Sequence, residues 1–273
     1  VWRFWSRRGY LAEGGKWIRQ TLDKTGEAAN AKLRATAYYG IGALSMNQGD
    51  LKAAESYGEV DLRIARASGD QETIVRALNV LGLAKQNMGD YAAAQALYEE
   101  GLAVERAAGN KQLIAVLVGN LGTVAHALED YEAARKYYEE AYAIAKAESI
   151  FPSLANQASN LAETSCLKED YEAALPYALE ALDVSEKLGD RILLAHALDK
   201  LGAVAVAAGE PEKAARLWGA ARAMFEPKGF KIEITEQRFL DHYEASARSA
   251  IGDAAFAEAY REGQSMHLKK AVA

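Results

Sequence analysis

Helix-stop signals recur along this chain at a fixed interval of 40 residues, and that interval limits the fold more than any other feature. One series runs Gly9-Tyr10, Gly49-Asp50, Gly89-Asp90, Glu129-Asp130, Glu169-Asp170 and Gly209-Glu210. A second, offset by half a period, runs Gly69-Asp70, Gly109-Asn110, Ser149-Ile150, Gly189-Asp190 and Gly229-Phe230. Glycine permits the left-handed backbone that ends a helix, and an Asp or Asn after it can accept from the first free amides of the next one. Each period therefore holds two segments of about eighteen residues, too long for ordinary strands and suited to helices of about five turns. Self-similarity at this spacing signals a repeat array, in which each unit buries its apolar face only against its neighbours.

Between the stops the residues keep phase. Ile41-Gly42, Leu81-Gly82, Leu121-Gly122, Leu161-Ala162 and Leu201-Gly202 recur in the first helix of each period. In the second helix a small residue recurs at Gly14, Ala54, Ala94, Ala134, Ala174 and Ala214. A large one follows three places later, at Trp17, Tyr57, Leu97, Tyr137, Tyr177 and Leu217. Small residues at fixed phase let two helix backbones approach, and the bulky neighbour is expected to fill the adjoining groove. Another small position recurs at Gly101, Ala141, Ala181 and Ala221. With 50% apolar residues, 26% charged and only 4 prolines, the composition suits an ordered, nearly all-helical chain. Residues 1–29 read as a partial first repeat, 30–229 as five full repeats, and 230–273 as an irregular terminal repeat with a cap. In that last repeat the turn Gly252-Asp253 comes 43 residues after Gly209, and its first helix, about residues 235–250, has no Leu-Gly pair. Val1 falls in phase with Ile41 and no initiator Met opens the chain, which reads as a piece of a larger protein. Trp2 and Gly14 read as a volume swap within one helix pair.

These residues resemble the tetratricopeptide motif, clearest in Leu81-Gly82, Gly89-Asp90-Tyr91, Ala94, Tyr98 and Gly101-Leu102. That motif usually spans about 34 residues, so the period here is similar to an extended variety with longer helices. The resemblance implies an all-α fold: a right-handed superhelical α-solenoid of tandem antiparallel helix pairs, whose first helices line a concave groove. Carried over by phase, the groove residues are Thr36, Tyr39, Met46, Asn47, Arg76, Asn79, Gln86, Asn87, Thr123, His126, Asn156, Ser159, Glu163 and His196. Asp199 and Cys166 fall at the same phases, and small residues such as Ala43 and Gly119 leave room between the polar ones. The lining is mostly neutral and rich in amides. It lacks the lysines of the carboxylate clamps that hold chaperone tails. Asn120 and Asn160, one place before Leu, are assigned to bonding between helices.

No catalytic constellation accompanies the repeat. His126 and Cys166 share a phase one period apart, but helix spacing of about 8–10 Å discourages joint ligation of a metal. His196, His242 and His267 lie at other phases, and there is no His-Glu-x-x-His. Gly15-Lys16 is followed by Trp17 where a phosphate loop needs Ser or Thr, and Gly40-Ile41-Gly42 sits inside a helix with no strand before it. The acidic pairs Glu99-Glu100 and Glu139-Glu140 belong to a solvated face. Neither a metal nor a cofactor is expected. A net charge of −6, with both signs interspersed, argues against direct nucleic-acid binding. The lone Cys166 excludes an internal disulfide, and no signal peptide or membrane-length apolar run is present, so a cytoplasmic location is expected.

The two ends resemble a narrower group. Phe4-Trp5-x-x-Arg8-Gly9-Tyr10-Leu11-Ala12-Glu13-Gly14 with Trp17 is similar to the opening of the repeat region in large bacterial STAND-type signal-transduction ATPases, among them LuxR-type and antibiotic-regulatory transcription factors. Ala214-Ala215-Arg216-Leu217-Trp218-Gly219-Ala220-Ala221 and Gly252-Asp253-Ala254-Ala255-Phe256 with Tyr260-x-Glu262-Gly263 are similar to its close. The resemblance implies a nucleotide-binding module upstream and a separate output domain. It makes this chain a non-catalytic sensor arm that takes a peptide, a protein or a small-molecule inducer in its groove. A self-standing adaptor that gathers partner proteins is the alternative, with self-association through the terminal repeats also open to it.

Overall fold

A computed structural model describes residues 4–5, 10–25, 30–225 and 234–266. Thirteen helices follow one another through these residues, with no strand among them. They are α1 (Leu11–Thr25), α2 (Ala31–Asn47), α3 (Leu51–Ser68), α4 (Gln71–Asn87), α5 (Tyr91–Ala108), α6 (Lys111–Ala127), α7 (Tyr131–Ala147), α8 (Phe151–Leu167), α9 (Tyr171–Leu188), α10 (Arg191–Ala207), α11 (Pro211–Phe225), α12 (Ile234–Ile251) and α13 (Asp253–Ser265). The chain divides into two compact units, residues 1–130 and 131–273. Within each, consecutive helices fold back on one another through short turns, forming the tandem helix pairs that the 40-residue interval requires. Val1, Trp2, the turns at Gly9 and Gly229, and His267 lie outside the described residues.

The turns form as their residues dictate. Gly49, Gly69, Gly89, Gly109, Gly189, Gly209 and Gly252 all take φ between 64 and 81°. Asp50, Asp90, Asn110 and Asp170 then each accept a backbone amide three residues on, at 3.1–3.3 Å. Three turns adopt the same left-handed backbone without glycine: Glu129 at φ 63°, Ser149 at 55° and Glu169 at 59°. A Cβ in this region is crowded by about 1–2 kcal/mol, partly offset by glycine's greater freedom in the unfolded chain. Glu129→Gly and Glu169→Gly are each expected to add roughly 0.5–1 kcal/mol of stability, read as a rise in the urea midpoint at constant slope.

In two of the Leu-Gly pairs the glycine receives a ring from one place further along than the sequence pattern suggests, whereas Gly42 faces the Ala54 carbonyl oxygen and the Tyr57 Cβ. A Cβ on Gly82 would lie 2.5 Å from Cε1 of Tyr98, and one on Gly202 2.4 Å from Nε1 of Trp218. Tyr98, Tyr138 and Trp218 are almost wholly buried, whereas Tyr57, Leu97, Tyr137 and Tyr177 are only half-buried. The fourth residue after the small one points into the pair because it completes a helical turn on the same face. Trp5 lies against Gly14, whose added Cβ would sit 2.5 Å from the indole Cγ; Trp2, given that contact by phase, lies outside the described residues.

The terminal repeat closes differently. Gly219 of α11 and Gly263 of α13 face each other's backbones: an added Cβ would lie 2.0 Å from the Tyr260 carbonyl oxygen in the first case and 2.0 Å from that of Arg216 in the second. Trp218 and Phe256 pack beside this crossing, with ring centroids 6.2 Å apart. The residues that resemble a family's closing motif are thus the two halves of one close helix contact.

Candidate binding groove

In the first unit the first helices of successive pairs, α2, α4 and α6, carry ten of the residues assigned to the groove. Tyr39, Met46, Asn79, Gln86, Thr123 and His126 are half-buried, and Asn47 and Asn87 are exposed. Several of their amides join helices. Asn120 Nδ2 donates to Asn79 Oδ1 at 2.8 Å, linking α6 to α4, and the Tyr98 hydroxyl donates to Gln86 Oε1 at 3.1 Å. Asn87 Nδ2 returns to the Leu83 carbonyl at 2.8 Å and lies 3.9 Å from the Met46 sulfur. The hydroxyls of Thr36 and Thr123 bond carbonyls four residues back, at 2.8 and 3.2 Å. Much of the amide-rich character is therefore structural.

Arg76 is different. Its guanidinium lies over the Tyr39 ring, 4.9 Å from the centroid, yet Nε and Nη2 are buried and donate to nothing. Behind it in α3, Asp61 is 0% exposed and neither carboxylate oxygen has a hydrogen-bond partner. Burial pushes the Asp61 carboxyl up to about 7, with the Arg76 charge opposing. Asp61 stands at the phase that holds Gly101, Ala141, Ala181 and Ala221 elsewhere. An Asp in a small-residue ladder is the signal by which sequence could have found it.

Between pH ~4 and ~7 the folded chain thus holds a proton on Asp61 that the unfolded chain has lost, so stability falls as pH rises through that window. Asp61→Ala is expected to raise the stability of the first unit by about 1–3 kcal/mol at pH 8 and to flatten this slope. Thermal melts across the window measure it; a slope that survives the substitution would exclude Asp61 as its source.

In the second unit the same face is closed over. Ser159, Glu163 and Cys166 are buried, Asn156 is exposed and His196 is half-buried. Helix α12 supplies the cover. Its Tyr243 reaches past α10 to donate to the Cys166 carbonyl in α8 at 2.9 Å. Phe239 takes the Lys200 ammonium 4.8 Å from its ring centroid. Around Lys200 sits an ionic cluster. Its Nζ is 2.8 Å from Glu163 Oε2 and 3.4 Å from Glu236 Oε1, and Glu236 also bonds His196 Nδ1. The Asp199 carboxylate, 0% exposed, receives Arg222 Nη2 at 2.6 and 2.5 Å, while Trp218 Nε1 donates to the Asp199 carbonyl at 3.2 Å. Burial alone would raise the Glu236 carboxyl; Lys200 and His196 outweigh it and hold it down at about 2. Burial lifts the Cys166 thiol to about 12, far from a reactive thiolate.

Donor atoms of His196, Asp199 and Glu236 lie within 4.8 Å of one another, the spacing of a metal site. Lys200 and Arg222 already bring positive charge to these carboxylates, with Lys200 shared between Glu236 and Glu163, so the cluster reads as an ion-pair network. Its sequence signal is faint: Glu163, His196 and Asp199 belong to the groove phases and Glu236 follows His196 by one 40-residue interval, but Lys200 and Arg222 do not stand out from any pattern.

The sequence pattern of the tetratricopeptide repeat family matches residues 73–147 and 153–226, more than half of the chain. The chain belongs to the tetratricopeptide repeat family. No curated protein matches it in sequence. Several solved tetratricopeptide-like structures share its fold. BtubC from P. vanneervenii is 20% identical, with a TM-score of 0.62 over 82% of this chain and 92% of that one. The Rap conjugation gene regulator of plasmid pLS20, in complex with the Phr* peptide, is 17% identical, with a TM-score of 0.64 over 92% and 72%. A STAND protein with a tetratricopeptide repeat sensor from Pyrococcus horikoshii is 18% identical, with a TM-score of 0.65 over 89% of this chain and 37% of that one. Among the described residues of this tetratricopeptide array, no helix is long and apolar enough to cross a membrane.

Proposed function

We propose that the chain is a non-catalytic peptide- or protein-binding scaffold, and that it serves as the sensor arm of a larger ATP-dependent regulator. The observation that carries the first part is the first-helix face of the first unit, where Tyr39 and Met46 are partly exposed, Asn87 beside Met46 is exposed, and Arg76 lies over the Tyr39 ring. Aromatic, thioether and guanidinium side chains on a rigid helical wall are the kind that anchor a peptide. The Rap regulator's complex with the Phr* peptide and the STAND protein's tetratricopeptide sensor support the wider role by analogy of fold. A small-molecule inducer would use the same wall, and the cytoplasm suits the lone buried thiol.

Selection of peptides from a random display library against the whole chain tests the reading. Binders are expected, and the double substitution Tyr39→Ala, Met46→Ala is expected to weaken them by roughly tenfold or more. Binders indifferent to both substitutions would place recognition elsewhere. The self-standing adaptor is the second reading; an ATPase module encoded in frame ahead of Val1 favours the sensor arm over it.

A further inference from the structure

The second helices of successive pairs keep a polar rung, one turn long, on their solvent side. At the 40-residue interval it reads Glu55 with Glu59, Gln95 with Glu99, and Arg135 with Glu139. In the last two the side chains bond each other at 2.8 Å, as residues four apart on a helix can. Helix α9 breaks the pattern. Its rung is Leu175 with Leu179, 41% and 44% exposed. Leucines scattered over a surface need no explanation, but these two share one helical face and replace a bonded polar pair.

The next rung, Ala215 with Gly219, shows what this side of the array can hold. Both residues are buried, and Gly219 closes on the Tyr260 carbonyl oxygen of α13. A helix is thus seated on this side one repeat further along, while the leucine rung stays partly in water.

Acids bracket the leucines. Glu172 lies about one turn before the pair, and Asp183 and Glu186 about one and two turns after it, all exposed and on the same face. Lys187 is the base beside them, and it is bonded to Asp183 at 2.6 Å. Pro176, inside the helix, brings no N–H to the Glu172 carbonyl, which loses its usual helix donor. The face is therefore apolar at its centre and negative at both ends. A second copy of the chain fits it poorly: α9 paired with itself, in either direction, sets acids against acids.

We infer that this face of α9 docks a basic amphipathic helix of a partner protein. Apolar side chains of that helix cover Leu175 and Leu179, and its lysines or arginines meet Glu172 at one end and Asp183 and Glu186 at the other. Glu172 to Glu186 is about 21 Å of helix, so a partner segment of roughly fifteen residues spans it. The surface belongs to a second helix and not to the first-helix groove, and it stands whether or not that groove takes peptides.

The test uses the full chain and two fluorescein-labelled, alanine-rich helices of about eighteen residues, each with two leucines one turn apart at its centre. One carries lysines outside the leucines on both sides, the other glutamates. Polarisation titrations are expected to show the lysine helix binding at least about tenfold more tightly. The double substitution Leu175→Gln, Leu179→Glu, which rebuilds the rung of Gln95 and Glu99, should remove that binding and leave the melting temperature unchanged. It adds negative charge while it removes apolar surface, so attraction by charge alone would instead strengthen binding of the lysine helix. Retained or stronger binding by the double variant, equal binding of the two helices, or no binding of either overturns the inference. Sedimentation of the natural chain and of the variant should agree; an oligomer that the substitution dissolves makes the occupant a second copy and overturns the basic partner. Peptides selected on the Tyr39 and Met46 wall should bind the variant and the natural chain alike, so failure here leaves the groove reading standing. The comparison between the two helices needs no protein variant.

Discussion

Gly263→Ala is expected to unseat α13 and to cost the second unit about 3 kcal/mol or more, at the upper end of overpacking penalties. The reason is the nature of the neighbours. The added methyl would sit 2.0 Å from the Arg216 carbonyl oxygen and 2.7 Å from its carbon, and these are backbone atoms of a packed helix. At Gly82 the corresponding clash is with the Tyr98 ring, which can turn aside at some cost; at Gly263 the two helices themselves must separate. Gly219→Ala should do the same from the other side, since its Cβ would meet the Tyr260 carbonyl oxygen at 2.0 Å. Once one substitution has parted the helices the other has little left to disturb, so the double variant should fall well short of additivity. Hydrogen exchange along α13, together with denaturant midpoints, measures both effects. A Gly263→Ala chain with unchanged midpoint and unchanged protection would disprove the close crossing.

Lys200→Met carries the other large effect. Lys200 is almost fully buried between Glu163 and Glu236, and removing the ammonium leaves two carboxylates facing each other out of water. Breaking a buried pair in this way costs about 3–5 kcal/mol. The sign with pH follows from the shifts. With Lys200 present, Glu236 is held at about 2 against its ordinary 4.5, so its contribution is in full force above pH 4.5 and is lost as pH falls through 2. Without Lys200, burial raises the carboxyls instead, and protonation relieves the cost. The deficit of the variant relative to the natural chain should therefore be greatest at pH 7–8 and shrink as the pH is lowered toward 4. The triple variant Glu163→Gln, Lys200→Met, Glu236→Gln should recover most of the loss, because no charge is left unpaired. A deficit independent of pH would instead assign the effect to packing of the lysine stem against Phe239.

How far the sequence reveals this molecule depends on what repeats. The 40-residue interval marks the described turns from Gly49 to Gly209, and even Glu129, Ser149 and Glu169, which are poor helix stops, take the left-handed backbone that their phase demands. Position within the period overrides residue type there because the neighbouring helices fix where the chain must reverse. The bulky partner of Gly82 and of Gly202 lies one place off, at Tyr98 and Trp218 rather than Leu97 and Leu217, since periodicity gives spacing without telling which way a side chain turns. The groove is half legible. Its polar phases can be read off, but Asn79 and Gln86 bond to Asn120 and Tyr98, a distinction that needs coordinates. Least legible is the cluster around Lys200: Glu236 keeps the phase of His196, but spacing alone does not tell that Lys200 turns inward between Glu163 and Glu236 or that Arg222 reaches Asp199.

The Tyr243 contact with the Cys166 carbonyl, and the bridge from Glu163 through Lys200 to Glu236, change how this end of the chain opens. In an array whose repeats touch only their neighbours, the ends fray one helix pair at a time. Here α8, α10 and α12 are tied together across successive repeats, so peeling away the last helix pair, α12 and α13, breaks contacts two repeats inward. Opening from the C-terminal side must then proceed as one large cooperative step, giving α8 through α13 a common exchange rate where stepwise fraying would give a gradient.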